Sequence, residues 1–227
     1  MSTVEWITFD CYGTLIDWEG GVADALVPLL PVPMERRALA ARYIAVEAEV
    51  EHEAYRPYRE VLTEASARLM RALGHPLPPD RRQVLPESLA RWAPFPEVPA
   101  ALEALRRAGY RLAILSNVDR DLLATSTARL RVTPDAVITA EDCGSYKPAP
   151  GHWERFRAET GAAAARTVHV GASLYHDMAP AAALGYRTVF INRHGEPTHA
   201  VRPTRELRDL SRLPEVIAAL PGAESGT

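Results

Sequence analysis

The sequence predicts an α/β fold, in which helices cover both faces of a parallel sheet, with a separate helical domain inserted after the first strand. Two observations lead to this prediction. Short apolar runs of about five to seven residues alternate with amphipathic stretches, and glycine closes three of those stretches where a helix C-cap is expected. Between residues 19 and 91 this alternation stops and only helical patterns remain. We therefore expect a Rossmann-like core interrupted by a helical unit.

Five apolar runs are predicted to be buried strands of one sheet. In chain order they are VEWITFD (4–10), YRLAILSN (110–117), DAVITAED (135–142), TVHVGAS (167–173) and RTVFINR (187–193). The amphipathic stretches that separate them are predicted to be helices. They are VPAALEALRRAG (98–109), RDLLATSTARL (120–130), HWERFRAETG (152–161) and DMAPAAALG (177–185). Strand–helix–strand repetition of this kind produces parallel neighbours.

The interval that breaks the alternation has its own organisation. Residues 34–74 place apolar side chains at helical spacing and charged ones on the opposite face, with an interruption expected at Pro57. A loop and one or two short helices complete the unit. We assign residues 18–92 to the helical domain, and residues 1–17 together with 93–227 to the core.

Composition limits the classes of function. The chain has 227 residues, of which 47% are hydrophobic, and a formal net charge of −3. This charge argues against a nucleic-acid partner, and the lack of a long apolar run argues against a membrane span. The first residues show no secretory signal pattern, and two distant cysteines fit a reducing compartment. We therefore expect a cytoplasmic protein that acts on a small molecule.

The first strand ends in a stretch that suggests nucleophilic chemistry. Asp10 ends the apolar run, and the sequence continues through Tyr12 and Gly13 to Thr14. Glycine permits a sharp turn, and the threonine hydroxyl is able to hydrogen-bond a reacting group. An aspartate that caps the following helix is the alternative interpretation, and this stretch alone supports both equally.

Three later segments repeat the pattern of a polar residue after a predicted strand. Ser116 and Asn117 end the second strand, Lys147 lies in the loop SYKPAP, and VGASLYHD delivers Asp177 after the fourth strand. With D-x-x-G-T-L at residues 10–15, the order of these motifs resembles that of the haloacid dehalogenase superfamily. The resemblance covers essentially the whole chain, and it implies a Rossmann-like core whose helical insertion is a cap domain.

Two positions distinguish the reactions found in that superfamily. Its magnesium-dependent phosphatases carry a second aspartate where this chain has Tyr12, and a metal-binding acid where it has Ala172. The 2-haloacid dehalogenases instead carry D-x-Y-G-T-L, very close to DCYGTL here. A halide leaves without a proton, so no second acid is needed, and a substrate with a single carboxylate needs no magnesium. The resemblance thus implies a cofactor-free 2-haloacid dehalogenase.

That resemblance implies a two-step reaction. Asp10 would displace the halide and form an ester, which water would hydrolyse at the aspartate carbonyl. Lys147 would hold Asp10 ionised, and Asp177 would pair with Lys147 or orient the water. Backbone N–H groups beside Tyr12 would stabilise the oxyanion of the second step.

The same resemblance implies a set of substrate contacts. Thr14 and Ser116 would hydrogen-bond the substrate carboxylate or Asp10, and Asn117 would help to bind the halide. Dehalogenases place a serine and an asparagine before the last aspartate, whereas this chain has Ala172 and Leu174 there, with Ser173 adjacent. Ser173 and Tyr12 are further expected contacts.

Two expected contacts rest on spacing within less similar segments. The dehalogenase cap carries an arginine upstream of a glutamate on its first long helix, and Arg42 with Glu47 has similar spacing. A solvated charge on the helix face is the alternative for Arg42, and Arg56 is a second candidate. Trp153 stands six residues after the motif lysine, where the dehalogenases have a tyrosine. We expect Arg42 and Trp153 to contact the substrate.

Two other functions stay open at this stage. One is a phosphatase with the same fold, with Mg²⁺ held by Asp10, Asp177 and a backbone carbonyl. The other is a catalytically silent relative that binds a ligand or partner through the cleft under its cap. The superfamily resemblance also suggests a homodimer.

Overall fold

A computed structural model describes residues 4–32, 34–198 and 201–220. Its centre is a six-stranded parallel sheet with the order β3-β2-β1-β4-β5-β6. The strands are β1 (Trp6–Phe9), β2 (Arg111–Ser116), β3 (Ala136–Thr139), β4 (Thr167–Gly171), β5 (Arg187–Ile191) and β6 (Arg205–Leu207). The predicted α/β fold class is therefore confirmed.

Ten α-helices surround this sheet within the described residues, and short 3₁₀ turns join several of them. They are α1 (Trp18–Leu26), α2 (Arg36–Glu53), α3 (Tyr58–Ala72), α4 (Val84–Ser88), α5 (Val98–Arg107), α6 (Arg120–Thr127), α7 (Ala140–Cys143), α8 (Gly151–Thr160), α9 (Ala179–Ala183) and α10 (Leu213–Ala218). In this part of the chain, no helix combines the length and the apolar character needed to cross a membrane.

Strand β1 lies in the middle of the sheet, and its side chains alternate between two apolar clusters, one on each face. It pairs with β2 on one side and β4 on the other, so that Phe9 lies opposite Ile114 and Val170. Successive side chains of a strand point to opposite faces. Ile7 and Phe9 accordingly enter the larger apolar cluster, which continues into the cap helices, whereas Trp6 enters a smaller cluster with α8.

The interval between β1 and β2 begins with helices α1 to α4, while α5 precedes β2. Pro57 forms the N-cap of α3, at the break that the sequence predicts. The buried Asp119, which follows β2, accepts hydrogen bonds from the backbone N–H groups of Tyr58 at 2.7 Å and Arg59 at 2.8 Å. A core carboxylate therefore satisfies the first turn of α3 and fixes this helix over the carboxyl end of the sheet.

Three local features differ from the sequence prediction. Strand β3 stops at Thr139 rather than running on to residue 142, because Thr139 and Asp142 form a capping box that starts α7. A π-helical turn, Leu174–Met178, precedes α9. The short edge strand β6 was not predicted, since three residues with mixed polarity give no periodic signal.

Candidate active site

The polar residues that follow three neighbouring strands meet at one edge of the sheet. Asp10 follows β1, Ser116 ends β2, and Asp177 lies in the π-helical turn after β4. Because β2, β1 and β4 are parallel neighbours, their carboxyl ends lie side by side. The backbone N–H of Asp10 donates to the carbonyl of Val170 at 2.9 Å and extends the β1–β4 pairing by one residue, to Asp10.

Lys147 connects the residues at this edge. Its Nζ lies 2.8 Å from Asp10 Oδ1, 2.7 Å from Asp177 Oδ1 and 2.9 Å from the carbonyl oxygen of Leu115. The three charged residues, Asp10, Lys147 and Asp177, are all buried, and Lys147 is only 2% exposed. An ammonium has three N–H donors, so these three acceptors satisfy Lys147 completely. We call Asp10, Lys147 and Asp177 the floor of the site.

Burial and charge give the two floor carboxylates different acidities. Burial opposes ionisation of Asp177, but Lys147 and the nearby His169 more than offset it and hold the pKa of Asp177 well below its usual value. Burial and the Asp177 carboxylate together raise the pKa of Asp10 above its usual value, although Lys147 acts against them. Burial also disfavours the ammonium, yet Asp10 and Asp177 raise the pKa of Lys147. Asp10 is therefore the more basic carboxylate of the pair.

The loop after β1 holds Asp10 from its other side. The Thr14 hydroxyl donates to Asp10 Oδ2 at 2.8 Å, and the turn between them passes through Gly13 at φ +91°. Arg193 donates from Nε to the carbonyl of Gly13 at 3.1 Å and from Nη2 to the carbonyl of Thr14 at 2.9 Å. Its guanidinium also pairs with Glu97 at 2.8 Å and lies 3.5 Å from the ring centroid of Phe95.

Sequence reasoning missed Arg193. It lies two residues beyond the end of β5, so the rule that polar residues after parallel strands gather at one edge would have identified it.

Asp177 lies in a tight space. A side chain at Gly171 would place its Cβ 2.6 Å from the Asp177 carboxyl group, so glycine is required at the end of β4. The backbone N–H of Ser173 donates to Asp177 Oδ2 at 3.2 Å, and His169 Nε2 lies 3.4 Å from Oδ1. The Ser173 hydroxyl accepts from the backbone N–H of His176 at 3.0 Å and lines the cavity described below.

Asn117 and Ser116 play different structural roles. The Asn117 side chain accepts from the backbone N–H of Lys147 at 2.7 Å and donates to its carbonyl at 3.1 Å, which fixes the lysine loop against β2. Ser116 is one of the residues that line the cavity, and its hydroxyl is buried without a hydrogen-bond partner within the described chain.

The Tyr12 side chain lines the cavity, but its hydroxyl is already engaged. It lies 3.0 Å from Ser126 Oγ, and its ring packs edge-to-face on Trp92 with 5.8 Å between the ring centroids. Tyr12 therefore contributes an apolar surface. The backbone N–H of Gly13 donates to the Ile16 carbonyl at 2.8 Å, so this neighbour of Tyr12 is not a free oxyanion donor.

Trp153 does not lie at the site, contrary to the sequence prediction. Its side chain is fully buried in the apolar cluster on the other side of the sheet, with Trp6 and Phe156. It also packs edge-to-face on His169, with 5.2 Å between the ring centroids. His169 in turn lies beside Asp177, so Trp153 is linked to the floor only through His169. Helix α8 starts immediately after the lysine loop and points this residue into the core.

The two predicted cap arginines also lie away from the cavity. Arg42 is exposed on α2 and makes no hydrogen bond or ion pair within the described chain, because the inner face of that helix is taken by Leu39, Tyr43 and Val50. Arg56 pairs with Glu53 at 2.9 Å. Neither Arg42 nor Arg56 therefore lines the cavity in this structure, contrary to the expected position of Arg42.

A cavity of about 650 Å³ lies between the carboxyl edge of the sheet and the cap helices. Helix α2 contributes Ile44, Glu47 and Glu51 and helix α3 contributes Tyr58, and we call these four residues the cap wall. Most predicted site residues reach this cavity. They are Asp10, Tyr12, Ser116, Asn117, Lys147, Ser173 and Asp177.

The two glutamates of the cap wall are a feature that the sequence did not reveal as part of the site. Glu47 Oε1 accepts hydrogen bonds from the hydroxyls of Tyr58 at 2.7 Å and Tyr43 at 3.1 Å. Burial nevertheless raises the pKa of Glu47. Burial and the neighbouring Glu47 raise the pKa of Glu51 to about 8, with Lys147 acting in the opposite direction.

The side chains at the floor do not fit a divalent cation. Lys147 already occupies an oxygen of both Asp10 and Asp177, and Ala172 offers no oxygen beside them. Among the described residues there is no group of three or more His, Cys, Asp or Glu side chains arranged to hold a metal ion. Mg²⁺ requires several oxygen ligands in near-octahedral geometry, which this set does not supply.

The chain is similar to proteins of known family. A family model described as haloacid dehalogenase-like hydrolase matches residues 4–185. The (S)-2-haloacid dehalogenase of Pseudomonas sp. (strain YL) is 28% identical over 236 residues, covering 100% of both chains. Haloacetate dehalogenase H-2 of Moraxella sp. (strain B) is 28% identical over 202 residues, covering 86% of this chain and 88% of that protein.

A solved structure shares the fold. The L-2-haloacid dehalogenase of Xanthobacter autotrophicus superimposes with a TM-score of 0.86 at 22% identity, covering 96% of this chain and 100% of the other. This chain belongs to the family of haloacid dehalogenase-like hydrolases.

Proposed function

We propose that this protein is a cofactor-free 2-haloacid dehalogenase, which converts a small 2-haloacid and water into a 2-hydroxy acid and halide. One observation carries the proposal. Asp10 is held between Lys147 and Thr14, while Tyr12 and Ala172 stand where the phosphatases have their second aspartate and metal-binding acid. The dehalogenase relatives support the same class of substrate.

The first step is a displacement at carbon. Asp10 Oδ attacks C2 of the substrate opposite the halogen, a C–O bond forms, and the carbon–halogen bond breaks with its electron pair leaving on the halide. Because its pKa is raised, Asp10 is a more basic nucleophile than an exposed aspartate. Thr14 and Lys147 hold the carboxylate in one orientation, which reduces the entropic cost of the attack.

The second step regenerates Asp10. Water adds to the Asp10 carbonyl carbon, and the bond between that carbon and the substrate oxygen then breaks. The alkoxide takes one proton from the water to become the 2-hydroxy acid, and the other proton passes to solvent. Lys147 would stabilise charge on the ester oxygen, and Asp177, held in the floor by Lys147 and Ser173, would orient the water.

Two residues at the end of β2 would contact the substrate. Ser116, with its unpartnered hydroxyl, would donate to the substrate carboxylate. Asn117 has one amide hydrogen left after it has bound the lysine loop, and this hydrogen would face the departing halide. Cys11 and Cys143 are free thiols. A cytoplasmic location and a homodimer are further predictions from the sequence.

The test measures chloride release from (S)-2-chloropropionate with EDTA present, beside p-nitrophenyl phosphate hydrolysis with added Mg²⁺. We expect halide release that survives chelation, and we expect Asp10→Asn to lower it by at least about 10⁴-fold. Asp24→Asn, an exposed carboxylate paired with Arg36, is the matched control and should retain activity. Mg²⁺-dependent phosphate release in place of halide release, or neither activity, would overturn the proposal.

Isotope labelling tests the covalent intermediate directly. In a single turnover in H₂¹⁸O, the label should enter the Asp10 carboxylate before it enters the product, because water attacks the aspartate carbonyl. Mass spectrometry of the peptide that contains Asp10 measures this. Label found only in the hydroxy acid would indicate direct displacement by water and would exclude the ester.

A further inference from the structure

A substrate carboxylate in this cavity needs hydrogen-bond partners, and the two cations nearest the base of the cavity, Lys147 and Arg193, are already engaged. The three N–H donors of Lys147 are all used within the floor and by Leu115. Arg193 is occupied by two backbone carbonyls and Glu97. Arg208, the other arginine that lines the cavity, is a solvent-exposed residue. The cap wall presents two glutamates to the remaining space.

We propose that Glu51 binds the substrate carboxylate as a neutral carboxylic acid, and that it is a specificity-determining residue of the site. This inference rests on the proposed function. In it the O–H of Glu51 donates to one substrate oxygen, while the unpartnered hydroxyl of Ser116 donates to the substrate from the side of the sheet. An O–H···O⁻ hydrogen bond of this kind is short and strong.

Glu51 is the free member of the cap-wall pair. Glu47, one helical turn earlier, is occupied by the hydroxyls of Tyr43 and Tyr58. Glu51 lines the same cavity but makes no hydrogen bond or ion pair within the described chain. A largely buried carboxyl group with no partner is costly as an anion, so it is neutral or it binds a ligand.

The groups that face Glu51 favour its neutral form. Glu47 on the same helix repels a second negative charge, and burial adds to this effect. Three tyrosines lie close enough for the charge of Glu51 to act on them: Tyr43, Tyr58 and Tyr146. They carry no charge near neutral pH, since burial raises each of their pKa values.

Among the described residues, Lys147 is the cation whose charge lowers the pKa of Glu51, and Lys147 is itself paired with the Asp10 and Asp177 carboxylates. His176, which also lines the cavity, has its pKa lowered by burial and is uncharged. An arriving carboxylate adds a further negative charge near Glu51 and strengthens its hold on the proton.

If Glu51 binds the substrate as a neutral acid, carboxylate binding should weaken at high pH, where Glu51 loses its proton. With the pKa of Glu51 at about 8, the fraction of protein able to donate falls about tenfold between pH 6.5 and pH 9, and the dissociation constant rises by the same factor. The probe is propionate, which has no halogen to lose and stays anionic throughout. Isothermal titration calorimetry measures its dissociation constant at both pH values.

Three variants isolate the carboxyl group. Glu51→Gln keeps a neutral N–H donor, so its dissociation constant for propionate should be the same at pH 6.5 and pH 9. Glu51→Ala should bind propionate about tenfold more weakly than wild type at pH 6.5, with no pH dependence. Glu49→Gln, on the exposed face of the same helix, should keep the wild-type curve and is the matched control.

The outcomes separate this inference from the proposed function. A flat wild-type curve, or a Glu51→Gln curve that still rises with pH, would overturn the role of Glu51 whether or not halide is released. A protein that releases no halide but binds propionate with the expected pH dependence would lose its proposed reaction and keep this carboxylate site.

Discussion

The floor and the cap wall face each other across one cavity, and they differ in whether their carboxyl groups are paired with a cation. In the floor, one buried cation lies within 2.8 Å of both carboxylates, and every N–H of the ammonium has an acceptor. In the cap wall, two glutamates lie on one helix without a cation in contact, and burial raises both of their pKa values. The floor therefore pairs its carboxylates with a cation, whereas burial in the cap wall favours the protonated form of both glutamates.

Under the function and the Glu51 role proposed above, this difference assigns separate tasks to the two sides. Catalysis needs a carboxylate of constant orientation and charge, and the floor provides it through saturated hydrogen bonding. Selection of the substrate needs groups that change when it arrives, and the cap wall keeps one such group free. Variants of each side should accordingly differ in the size of their effect and in its dependence on pH.

The largest effect is expected at the centre of the floor. Lys147 is the only lysine in the chain, and its replacement by methionine leaves Asp10 and Asp177 buried without a cation. The free energy of unfolding should fall by about 3–5 kcal/mol at neutral pH, and halide release should be lost. Urea denaturation measures the first and chloride release the second.

A second substitution at the same residue separates charge from shape. Lys147→Arg keeps a cation, but a planar guanidinium cannot match three acceptors that surround one nitrogen. We expect it to restore part of the stability and little of the activity. Full activity in Lys147→Arg would show that the floor needs only positive charge.

A smaller effect is expected when Glu51 is made permanently neutral. The pKa of Glu51 is about 8 in the folded protein against 4.5 for an ordinary glutamate, so folding holds a proton that the unfolded chain releases. Stability from this group is complete below about pH 4.5, falls as the pH rises to about 8, and is constant above that. Glu51→Gln should thus be more stable than wild type at pH 9, by on the order of 2 kcal/mol because the group is partly exposed, and equal to it at pH 4. Thermal unfolding at the two pH values measures this, and an equal difference at both would contradict it.

The next largest effect is expected for Arg193, which holds the loop that carries Asp10. Arg193→Lys keeps the charge but loses the fork that binds the carbonyls of Gly13 and Thr14. We expect a loss of about 1–2 kcal/mol in stability and about a tenfold lower kcat, because the loop that carries Asp10 is held less firmly. Arg155→Lys, an exposed arginine paired with Glu159 four residues later on α8, is the control and should change stability by less than about 0.5 kcal/mol.

Most of the floor was predictable because its residues stand next to apolar runs that mark the strands in the sequence. Asp10 directly follows β1, Ser116 ends β2 and Asp177 lies in the turn after β4, and the carboxyl ends of parallel strands meet at one edge. Knowledge of the strands therefore places these residues together without any three-dimensional model. Lys147 lies in a loop and was assigned by its motif, since no periodic pattern indicates how far a lysine reaches.

The cap wall was not predictable in the same way. Which residues of α2 face the sheet depends on the rotation of that helix, and neighbouring residues differ by about 100° around the axis. Tyr43 faces inwards and Arg42 outwards for this reason. A signal did exist, because Glu47 lies four residues after the buried Tyr43, and an acid on the inner face of a helix is unusual enough to mark a site. Trp153 was misplaced for a related reason, since the start of α8 decides where it points.

The smallest effect is expected for the arginine that the sequence had placed at the substrate. Arg42 is exposed and has no partner among the described residues, so Arg42→Ala removes no contact from the cavity. We expect KM for (S)-2-chloropropionate to change by less than about twofold and stability by less than about 0.5 kcal/mol, the usual range for a surface position. Steady-state kinetics of chloride release give KM, with Arg37→Ala on the exposed side of the same helix as the reference. A rise in KM of tenfold or more in Arg42→Ala alone would mean that α2 turns towards the substrate when it binds. Arg42 would then take the carboxylate that we assign to Glu51, and the contrast between a paired floor and an unpaired cap wall would hold only for the empty cavity.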